Sequence, residues 1–246
     1  MTMPPAIAVE FKNVTKSFGE KRVLNDVSFQ IEQGQALCLL GRSGTGKSVT
    51  LKLIMALMRP DSGEVWVDQD NVVGMGEHAL SMVRRKLGYL FQDAALFDSL
   101  TLYENLAIPL NRLTKKSKDE IEDIIHKVLS DVGLGGDVAK YPAALSGGMK
   151  KRAGLARALV LEPKILLADE PSSGLDRITA LEIDELLMRR KAEHGTALII
   201  VTHDVHGARR VADRVGVLDK GHLVAFGSVA QVTESENDVA RKLITE

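Results

Sequence analysis

Apolar residues are spaced in two different ways along the chain, and the two patterns predict two kinds of sheet. Between Ile7 and Ile31 they alternate with polar residues, and residues 64–68 resume the alternation, as in an antiparallel sheet with one buried face. Uninterrupted apolar runs are instead typical of parallel strands that are buried on both faces. Four such runs occur, at residues 36–40, 165–168, 197–201 and 215–218. The chain is therefore predicted to hold a small antiparallel sheet and a larger parallel one.

Helical spacing of apolar residues dominates from Gln92 to about Pro163. Ser117 and Glu120 form the pattern of a capping box, and the apolar positions that follow them recur every three or four residues. A second helical stretch, residues 178–187, separates two of the buried strands. Strands that alternate with helices favour an α/β, doubly wound parallel core, with the helical segment inserted into it.

One junction between a buried strand and a helix carries a glycine-rich motif. The pattern GxxxxGK[ST] follows the strand 36–40 and opens a helix predicted over residues 48–58. Its eight residues are Gly41, Arg42, Ser43, Gly44, Thr45, Gly46, Lys47 and Ser48. Glycines let backbone N–H groups surround phosphates at a helix N-terminus, where Lys47 is placed for the β- and γ-phosphates and Ser48 for Mg²⁺. The motif predicts a nucleoside triphosphate site, with an ordinary glycine-rich turn as the alternative.

Two adjacent carboxylates follow the apolar run 165–168. Asp169 is predicted at the carboxyl edge of the sheet, where it can accept a hydrogen bond from water or ligand bound to Mg²⁺. Glu170 is suited to orienting or deprotonating a water that attacks the γ-phosphate. Alone, the two acids would be explained equally well as a solvated strand end.

A second candidate anion site lies between the glycine-rich loop and the two acids. Leu145, Ser146, Gly147 and Gly148 precede a helix predicted over residues 149–160. A hydroxyl, two glycines and a helix N-terminus together form a cradle for an anion. An N-capped helix start would explain these four residues on their own. Their position in the chain favours the cradle.

In order and spacing, these motifs resemble those of the ATP-binding cassette (ABC) ATPases over essentially the whole chain. The resemblance rests on residues 41–48, Gln92, residues 145–148, residues 165–170, residues 173–176 and His203. It implies one domain over residues 1–246, built as a P-loop NTPase (RecA-like) core with an antiparallel β subdomain. It also implies an inserted α-helical subdomain at about 93–162 and a short C-terminal tail at about 228–246.

The resemblance assigns roles to further residues. Phe18 is implied to stack on adenine, Gln92 to contact Mg²⁺ or the attacking water, and His203 to hydrogen-bond the γ-phosphate. Taken alone, these three would be a core aromatic, a surface glutamine and a turn histidine. With ATP and Mg²⁺ as the implied cofactors, the metal ligands are Ser48, Gln92 and Asp169. The implied catalytic residues are Lys47, Gln92, Glu170 and His203.

A dimer follows from the same resemblance. In ABC ATPases the cradle, here Ser146, Gly147 and Gly148, faces the phosphate loop of a second cassette. This chain has one copy of each element, so a symmetric homodimer would form two identical composite sites. ATP would close that dimer and hydrolysis would release it.

Composition and charge narrow the possible partners. The sequence has 32 Lys and Arg against 33 Asp and Glu, and this near-zero balance gives no electrostatic case for a nucleic-acid partner. Cys38, the single cysteine, is predicted to be a small core residue, and the absence of a possible internal disulfide favours a reducing compartment. The apolar runs are far shorter than the ~20 residues of a membrane span. If this protein works at a membrane, another chain must therefore cross it. The resemblance to ABC ATPases implies a position on the cytoplasmic face of the inner membrane.

Two segments resemble one group within the family, the ATPases of Mla/Mce-type lipid transporters. They are residues 90–100 and residues 145–152, where Met149 replaces the Gln of most cassettes and basic residues follow. The resemblance implies phospholipid as cargo, a multi-pass permease, an MCE-domain protein and a small STAS-domain protein as partners. Another small molecule or hydrophobic compound is the alternative cargo.

Two other functions are weighed against transport. A soluble ABC ATPase that acts on DNA or ribosomes usually has a long coiled-coil insertion or a second cassette, and this sequence has neither. A regulatory module that binds ATP without turnover is disfavoured by the presence of Glu170 and His203.

The C-terminal tail has its own helical pattern. Ser228 and Gln231 resemble a second capping box, and Val239, Leu243 and Ile244 predict a short final helix. We expect that helix to dock on the partner cassette.

Overall fold

The computed structural model describes residues 6–245 of the chain, which form two sheets and the helices around them. The strands are β1 (Ile7–Phe18), β2 (Lys21–Glu32), β3 (Ala36–Leu40), β4 (Ser62–Val67), β5 (Asp70–Asn71), β6 (Leu87–Leu90), β7 (Ile165–Asp169), β8 (Ala197–Thr202), β9 (Arg214–Asp219) and β10 (His222–Gly227). The helices are α1 (Lys47–Ile54), α2 (Glu77–Arg84), α3 (Leu102–Leu113), α4 (Lys118–Asp131), α5 (Gly147–Leu159), α6 (Arg177–His194), α7 (Val205–Val211), α8 (Val229–Thr233) and α9 (Asp238–Thr245). A 3₁₀ turn at Pro142–Ala144 precedes α5.

The alternating segments form an antiparallel sheet, as predicted. Its strand order is β2-β1-β4-β5. Every second side chain of β4 is buried, so that Val65 and Val67 join the core while Trp66 is partly exposed and pairs with Glu10 across the sheet. This pattern follows from the strand period of two, which sends successive side chains to opposite faces.

The four apolar runs become β3, β7, β8 and β9 of a six-stranded sheet, which confirms the predicted parallel core. The order is β10-β9-β3-β8-β7-β6, with β10 antiparallel to β9 and all other neighbours parallel. Leu37 and Leu39 pack into the hydrophobic cluster on one face of the sheet, and Cys38 and Leu40 into the cluster on the other face. Burial raises the pKa of the Cys38 thiol, as suits a core residue. The carboxyl ends of β3, β6, β7 and β8 meet at one edge.

The helix predicted over residues 48–58 is shorter in the structure, because α1 ends at Ile54. Ala56 has a φ of 49°, which a helix cannot continue through. The guanidinium group of Arg84 donates to the carbonyl oxygens of Met55 at 3.1 Å and Ala56 at 3.0 Å. These bonds satisfy the carbonyl groups that the early helix end leaves without intrahelical partners.

The helical region also begins later than its sequence pattern predicted. From Gln92 the chain makes irregular turns, and α3 begins only at Leu102. Ala94 and Ala95 have φ values of 58° and 50°, which exclude a right-handed helix there. Helices α3, α4 and α5 share a hydrophobic cluster of their own. The capping box of α4 is confirmed, since Ser117 Oγ accepts from the Glu120 N–H at 3.3 Å and Glu120 Oε2 accepts from the Ser117 N–H at 2.7 Å.

The tail folds against its own chain. Ser228 and Gln231 form the predicted capping box at the start of α8. In α9, Ala240 and Ile244 are buried in the core cluster that also contains β9 residues, whereas Val239 is 40% exposed. Two apolar residues of α9 are thus covered by this chain, and the contact of this helix with a partner cassette stays a prediction.

Candidate functional site

The glycine-rich loop between β3 and α1 leaves a helix N-terminus available to an anion. Gly46 is the N-cap of α1 and has no side chain to occupy the first N–H groups. Its φ is 106°, and a Cβ there would lie 2.7 Å from the Leu24 side chain and 2.8 Å from the Val23 carbonyl oxygen. Only glycine fits this position without strain.

Lys47 is held inside the loop that it follows. Its side chain is 8% exposed, and Nζ donates to the carbonyl oxygens of Gly41 at 2.7 Å and Arg42 at 3.2 Å. Burial lowers the pKa of this amine, while the Glu170 and Asp169 carboxylates act in the opposite direction. The ammonium group is thus placed at the loop and can exchange carbonyl oxygens for phosphate oxygens.

A cleft of about 850 Å³ lies beside this loop and gathers most of the predicted site residues. Its walls include Phe18, Arg42, Ser43, Gly44, Gly46, Lys47, Ser48, Gln92, Asp169, Glu170 and His203. Gly41 and Thr45 stabilise the loop by hydrogen bonds within it. The Gly41 carbonyl oxygen accepts from Lys47 Nζ, and Thr45 Oγ1 donates to the Arg42 carbonyl oxygen at 2.9 Å. Phe18 ends β1 and is 47% exposed, so that one ring face is available to a planar ligand.

Asp169 ends β7 opposite the start of α1. Its Oδ1 accepts from Ser48 Oγ at 3.1 Å, and its Oδ2 accepts from Tyr89 Oη at 3.4 Å. Burial raises the pKa of Asp169, and the two hydrogen bonds oppose that rise. No group of three or more His, Cys, Asp or Glu side chains placed to hold a metal is found within residues 6–245. The hydroxyl and carboxylate oxygens of this pair nevertheless fit Mg²⁺, which commonly takes one or two protein ligands and the rest from phosphates and water.

The Glu170 side chain accepts hydrogen bonds from Thr202, the last residue of β8, and from His203, which follows it. Oε2 accepts from Thr202 Oγ1 at 3.1 Å and from the His203 N–H at 3.3 Å, and it lies 2.8 Å from His203 Nδ1. The Glu170 side chain is only 12% exposed, whereas that of His203 is 72% exposed. A largely buried carboxylate therefore lies next to an accessible imidazole at the cleft.

Gln92 is exposed and begins the loop that precedes α3. Helix α5 donates hydrogen bonds to this loop. The Lys151 ammonium donates to the carbonyl oxygen of Gln92. Arg157 donates to the carbonyl oxygens of Ala95 at 2.7 Å and Ala94 at 3.0 Å. Between these two residues on the helix, Gly154 lies so close to the loop that a Cβ would be 2.8 Å from the Ala94 Cβ. The loop that carries Gln92 is thus bound to one side of α5.

We expect Gly154→Ala to displace this loop. The added methyl group would also lie 3.0 Å from the Ala94 Cα, so the loop or the helix must shift, at a cost of about 1–3 kcal/mol in the free energy of unfolding. ATPase activity should fall about 10-fold, because small misplacements of catalytic groups are costly. Denaturant unfolding and phosphate release measure the two effects. The control Gly136→Ala, which adds a methyl group into open space, should leave both unchanged.

The cradle lies outside the cleft. Ser146 is the N-cap of α5, and its Oγ accepts from the Met149 N–H at 3.3 Å. A Cβ on Gly148 would lie 2.5 Å from Thr179 Cγ2, so this helix start is packed closely against the beginning of α6. Ser146, Gly147 and Gly148 are not among the cleft-lining residues in the described part of the chain. The structure thus brings the loop and the acids together and leaves the cradle apart.

Three residues that hydrogen-bond to the site residues were not predicted from the sequence. Tyr89 donates to Asp169, Thr202 donates to Glu170, and Lys151 donates to Gln92. Tyr89 lies inside a short apolar stretch and Thr202 directly follows one, so neither carried a usable signal. Lys151 did carry one, because it precedes the buried Leu155 by four residues and therefore lies on the buried face of α5.

The fold and the loop define a P-loop NTPase. A family model described as ABC transporter matches residues 24–173, which is more than half of the chain. The chain belongs to this family, and it is an ATP-hydrolysing, ATP-binding subunit of an ABC transporter that uses ATP with Mg²⁺.

Relatives along nearly the full length agree with this assignment. The mkl ATP-binding protein of Mycobacterium leprae, whose name assigns it to ribonucleotide transport, is 46% identical over 98% of this chain and 70% of its own length. The methionine import ATP-binding protein MetN 1 of Listeria monocytogenes is 39% identical over 96% of this chain and 71% of its own length. Among solved structures, the dimeric ATP-binding cassette MJ0796 in a post-hydrolysis state with ADP and Pi aligns with a TM-score of 0.83 at 34% identity, covering 89% of this chain and 98% of that one.

None of the helices within residues 6–245 combines the length and the apolar character that are needed to cross a bilayer.

Proposed function

We propose that this chain hydrolyses ATP at a site completed by a second copy of itself, and that this drives phospholipid transport through a separate membrane permease. The observation that carries the proposal is the division of the site. Lys47, Ser48, Asp169 and Glu170 share one cleft, while the cradle that begins at Ser146 lies outside it. Such a half-site is what a composite site between two copies requires.

Each side chain in the cleft has an assigned task. Lys47 exchanges its bonds to the Gly41 and Arg42 carbonyls for the β- and γ-phosphate oxygens. The loop N–H groups and the α1 N-terminus bind the remaining phosphate oxygens. Phe18 offers its ring face to adenine.

Ser48 and Asp169 would hold Mg²⁺, together with Gln92. The hydroxyl and the carboxylate are already adjacent, 3.1 Å apart, so little rearrangement of the chain is needed. When bound, Mg²⁺ would supply positive charge that neutralises the charge developing on the phosphates. Tyr89 orients the carboxylate by donating to its second oxygen.

Glu170 orients or deprotonates the attacking water. Thr202 and His203 fix its Oε2, so we assign Oε1 as the oxygen that accepts from water. The exposed imidazole of His203 is available to donate to the γ-phosphate once nucleotide enters the cleft. Glu170 directly follows β7, and His203 directly follows β8. Because β7 and β8 are neighbouring strands, the sheet sets the distance between these two residues.

The dimer places the cradle of each copy over the nucleotide of the other. The α5 N-terminus and the Ser146 hydroxyl would then contact the γ-phosphate held by the partner's loop. ATP therefore joins the two copies, and loss of the γ-phosphate bond separates them. The solved relative MJ0796 is dimeric, which supports this arrangement.

Phospholipid as cargo, with an MCE-domain protein and a STAS-domain protein as further partners, is supported by the two segments that resemble Mla/Mce-type ATPases. These segments, residues 90–100 and 145–152, contact one another through Lys151. Phe91 and Phe97 are 41% and 53% exposed in the first segment, as suits a surface that receives a permease at the cytoplasmic face of the inner membrane. Ribonucleotide and methionine, named for the relatives mkl and MetN 1, are the competing cargoes.

Purification of the tagged chain from its native membranes tests this proposal. We expect a multi-pass permease and an MCE-domain protein to copurify, with phospholipid identified in the complex by mass spectrometry. A permease that carries methionine or ribonucleotide and no lipid would contradict the cargo. Recovery with ribosomes or DNA, and no membrane protein, would contradict the transport function itself.

A further inference from the structure

Lys151 is a buried lysine to which the proposed ATP-site mechanism assigns no role. It lies in the second turn of α5 and is 6% exposed. Its Nζ donates to the carbonyl oxygen of Gln92, to the carbonyl oxygen of Glu170 at 3.1 Å and to Ser173 Oγ at 3.3 Å. A single ammonium group therefore joins two separate loops, the one after β6 and the one after β7.

The chemistry of the three acceptors fits an ammonium group. Lysine presents three N–H donors from one compact centre, and here three oxygens converge on that centre. Burial lowers the pKa of the Lys151 amine, whereas the carboxylates of Asp93, Glu170 and Asp169 act against that effect. A buried charge persists only where such partners compensate for lost water.

The backbone of Glu170 needs this support. Its φ is 49°, a left-handed conformation that is unfavourable for residues other than glycine. Its carbonyl oxygen accepts from Lys151 and from the Ser173 N–H at 3.2 Å, and its own N–H donates to the Val201 carbonyl oxygen at 2.8 Å. Strained residues persist where their surroundings fix them from several sides. The direction of the Glu170 side chain depends on this conformation.

The same helix begins at the cradle. Ser146 caps α5, and Lys151 follows within the next two turns. A rigid helix therefore connects the group assigned to the partner's nucleotide with the backbone of both Gln92 and Glu170. The hydrogen bonds of one side chain thus link this helix to both residues.

We propose that Lys151 is a positioning residue for ATP hydrolysis, which holds the backbones of Gln92 and Glu170 in register with the helix that carries the Ser146 cradle. The role rests on the functions proposed above for Gln92 and Glu170. It assigns to Lys151 no contact with nucleotide, and it predicts an effect on turnover rather than on ATP affinity.

Lys151→Met removes the ammonium group and keeps an unbranched side chain. We expect kcat for ATP to fall at least about 10-fold while KM changes less than about 3-fold, since positioning acts on the chemical step. The assays use the full-length protein well below its melting temperature. The control Lys150→Met removes the same charge from the neighbouring, partly exposed position and should leave kcat and KM unchanged.

Lys151→Gln guards against a folding defect, because its amide can still donate to two of the three acceptors. If Lys151→Met does not fold, Lys151→Gln is assayed instead, and the loss of one donor and of the charge should lower its kcat at least about 3-fold with KM unchanged. A kcat within about twofold of the parent, or a loss expressed in KM alone, would overturn the proposal. Glu170→Gln is assayed in parallel: if it is inactive while Lys151→Met is fully active, only the role of Lys151 fails. If Glu170→Gln is itself active, the proposed hydrolytic mechanism fails instead.

Discussion

Glu170→Gln should abolish steady-state ATP hydrolysis, with a loss of at least about 100-fold, because an amide cannot accept the proton of the attacking water. The substitution keeps the shape of the side chain, and an amide oxygen can still accept from Thr202 Oγ1 and the His203 N–H. ATP binding should therefore be retained. Phosphate release and equilibrium nucleotide binding measure the two properties separately.

The matched control is Glu185→Gln, which removes one carboxylate from an exposed position of α6. It should hydrolyse ATP at the parent rate. Should Glu170→Gln keep more than about a tenth of the parent turnover, Glu170 would lose its assignment as the group that activates water.

Lys47→Met should produce the largest loss of nucleotide affinity. A hydrogen bond from a charged group contributes about 1.5–3 kcal/mol, which corresponds to a rise in Kd of about 10- to 150-fold. The substitution also leaves the carbonyl oxygens of Gly41 and Arg42 without the donor that they have in the structure. Titration calorimetry with Mg·ATP in the Glu170→Gln background measures binding without turnover.

Lys52→Met provides the comparison for Lys47. Lys52 lies in the last turn of the same helix and is exposed, so its loss changes the net charge equally without affecting the phosphate loop. We expect no change in Kd for this variant. Equal affinity for Lys47→Met and Lys52→Met would show that the phosphates bind elsewhere.

The buried strands could be predicted from the sequence because their signal is local. Residues 36–40 form β3 with the predicted bounds, since five consecutive apolar residues suit a strand that is covered on both faces. Strands β7 and β8 each extend one residue beyond the predicted runs 165–168 and 197–201. In contrast, β6 has four residues, Leu87–Leu90, and is too short to be distinguished from any other apolar stretch. Its place at the sheet edge is set by pairing with β7.

The positions at which helices end depended on distant residues. Beyond the end of helix α1 at Ile54, the carbonyl groups of Met55 and Ala56 accept hydrogen bonds from Arg84, which lies on another helix. The loop after Gln92 stays irregular because Lys151 and Arg157, some 60 residues later in the chain, bind its carbonyl oxygens. Helical spacing continues through both places and could not reveal these contacts.

The candidate site could be predicted to the extent that its residues stand in contiguous motifs. The loop 41–48 and the pair Asp169 and Glu170 meet at one cleft, as the shared carboxyl edge of parallel strands requires. Tyr89 and Thr202 escaped prediction because their contributions arise only from the pairing of neighbouring strands. The packing of Ile244 against distant parts of its own chain could likewise not be predicted from the helical spacing of the tail.

In the proposed dimer, two copies of this chain enclose ATP between the loop of one and the cradle of the other. Light scattering of Glu170→Gln saturated with Mg·ATP tests it most directly, with Glu170→Gln/Ser146→Arg as the comparison. We predict twice the 26.8 kDa monomer mass for the first protein, and the monomer mass for the second, although the second still binds ATP through its own loop. A strictly monomeric first protein, or a second one that dimerises equally well, would contradict the account.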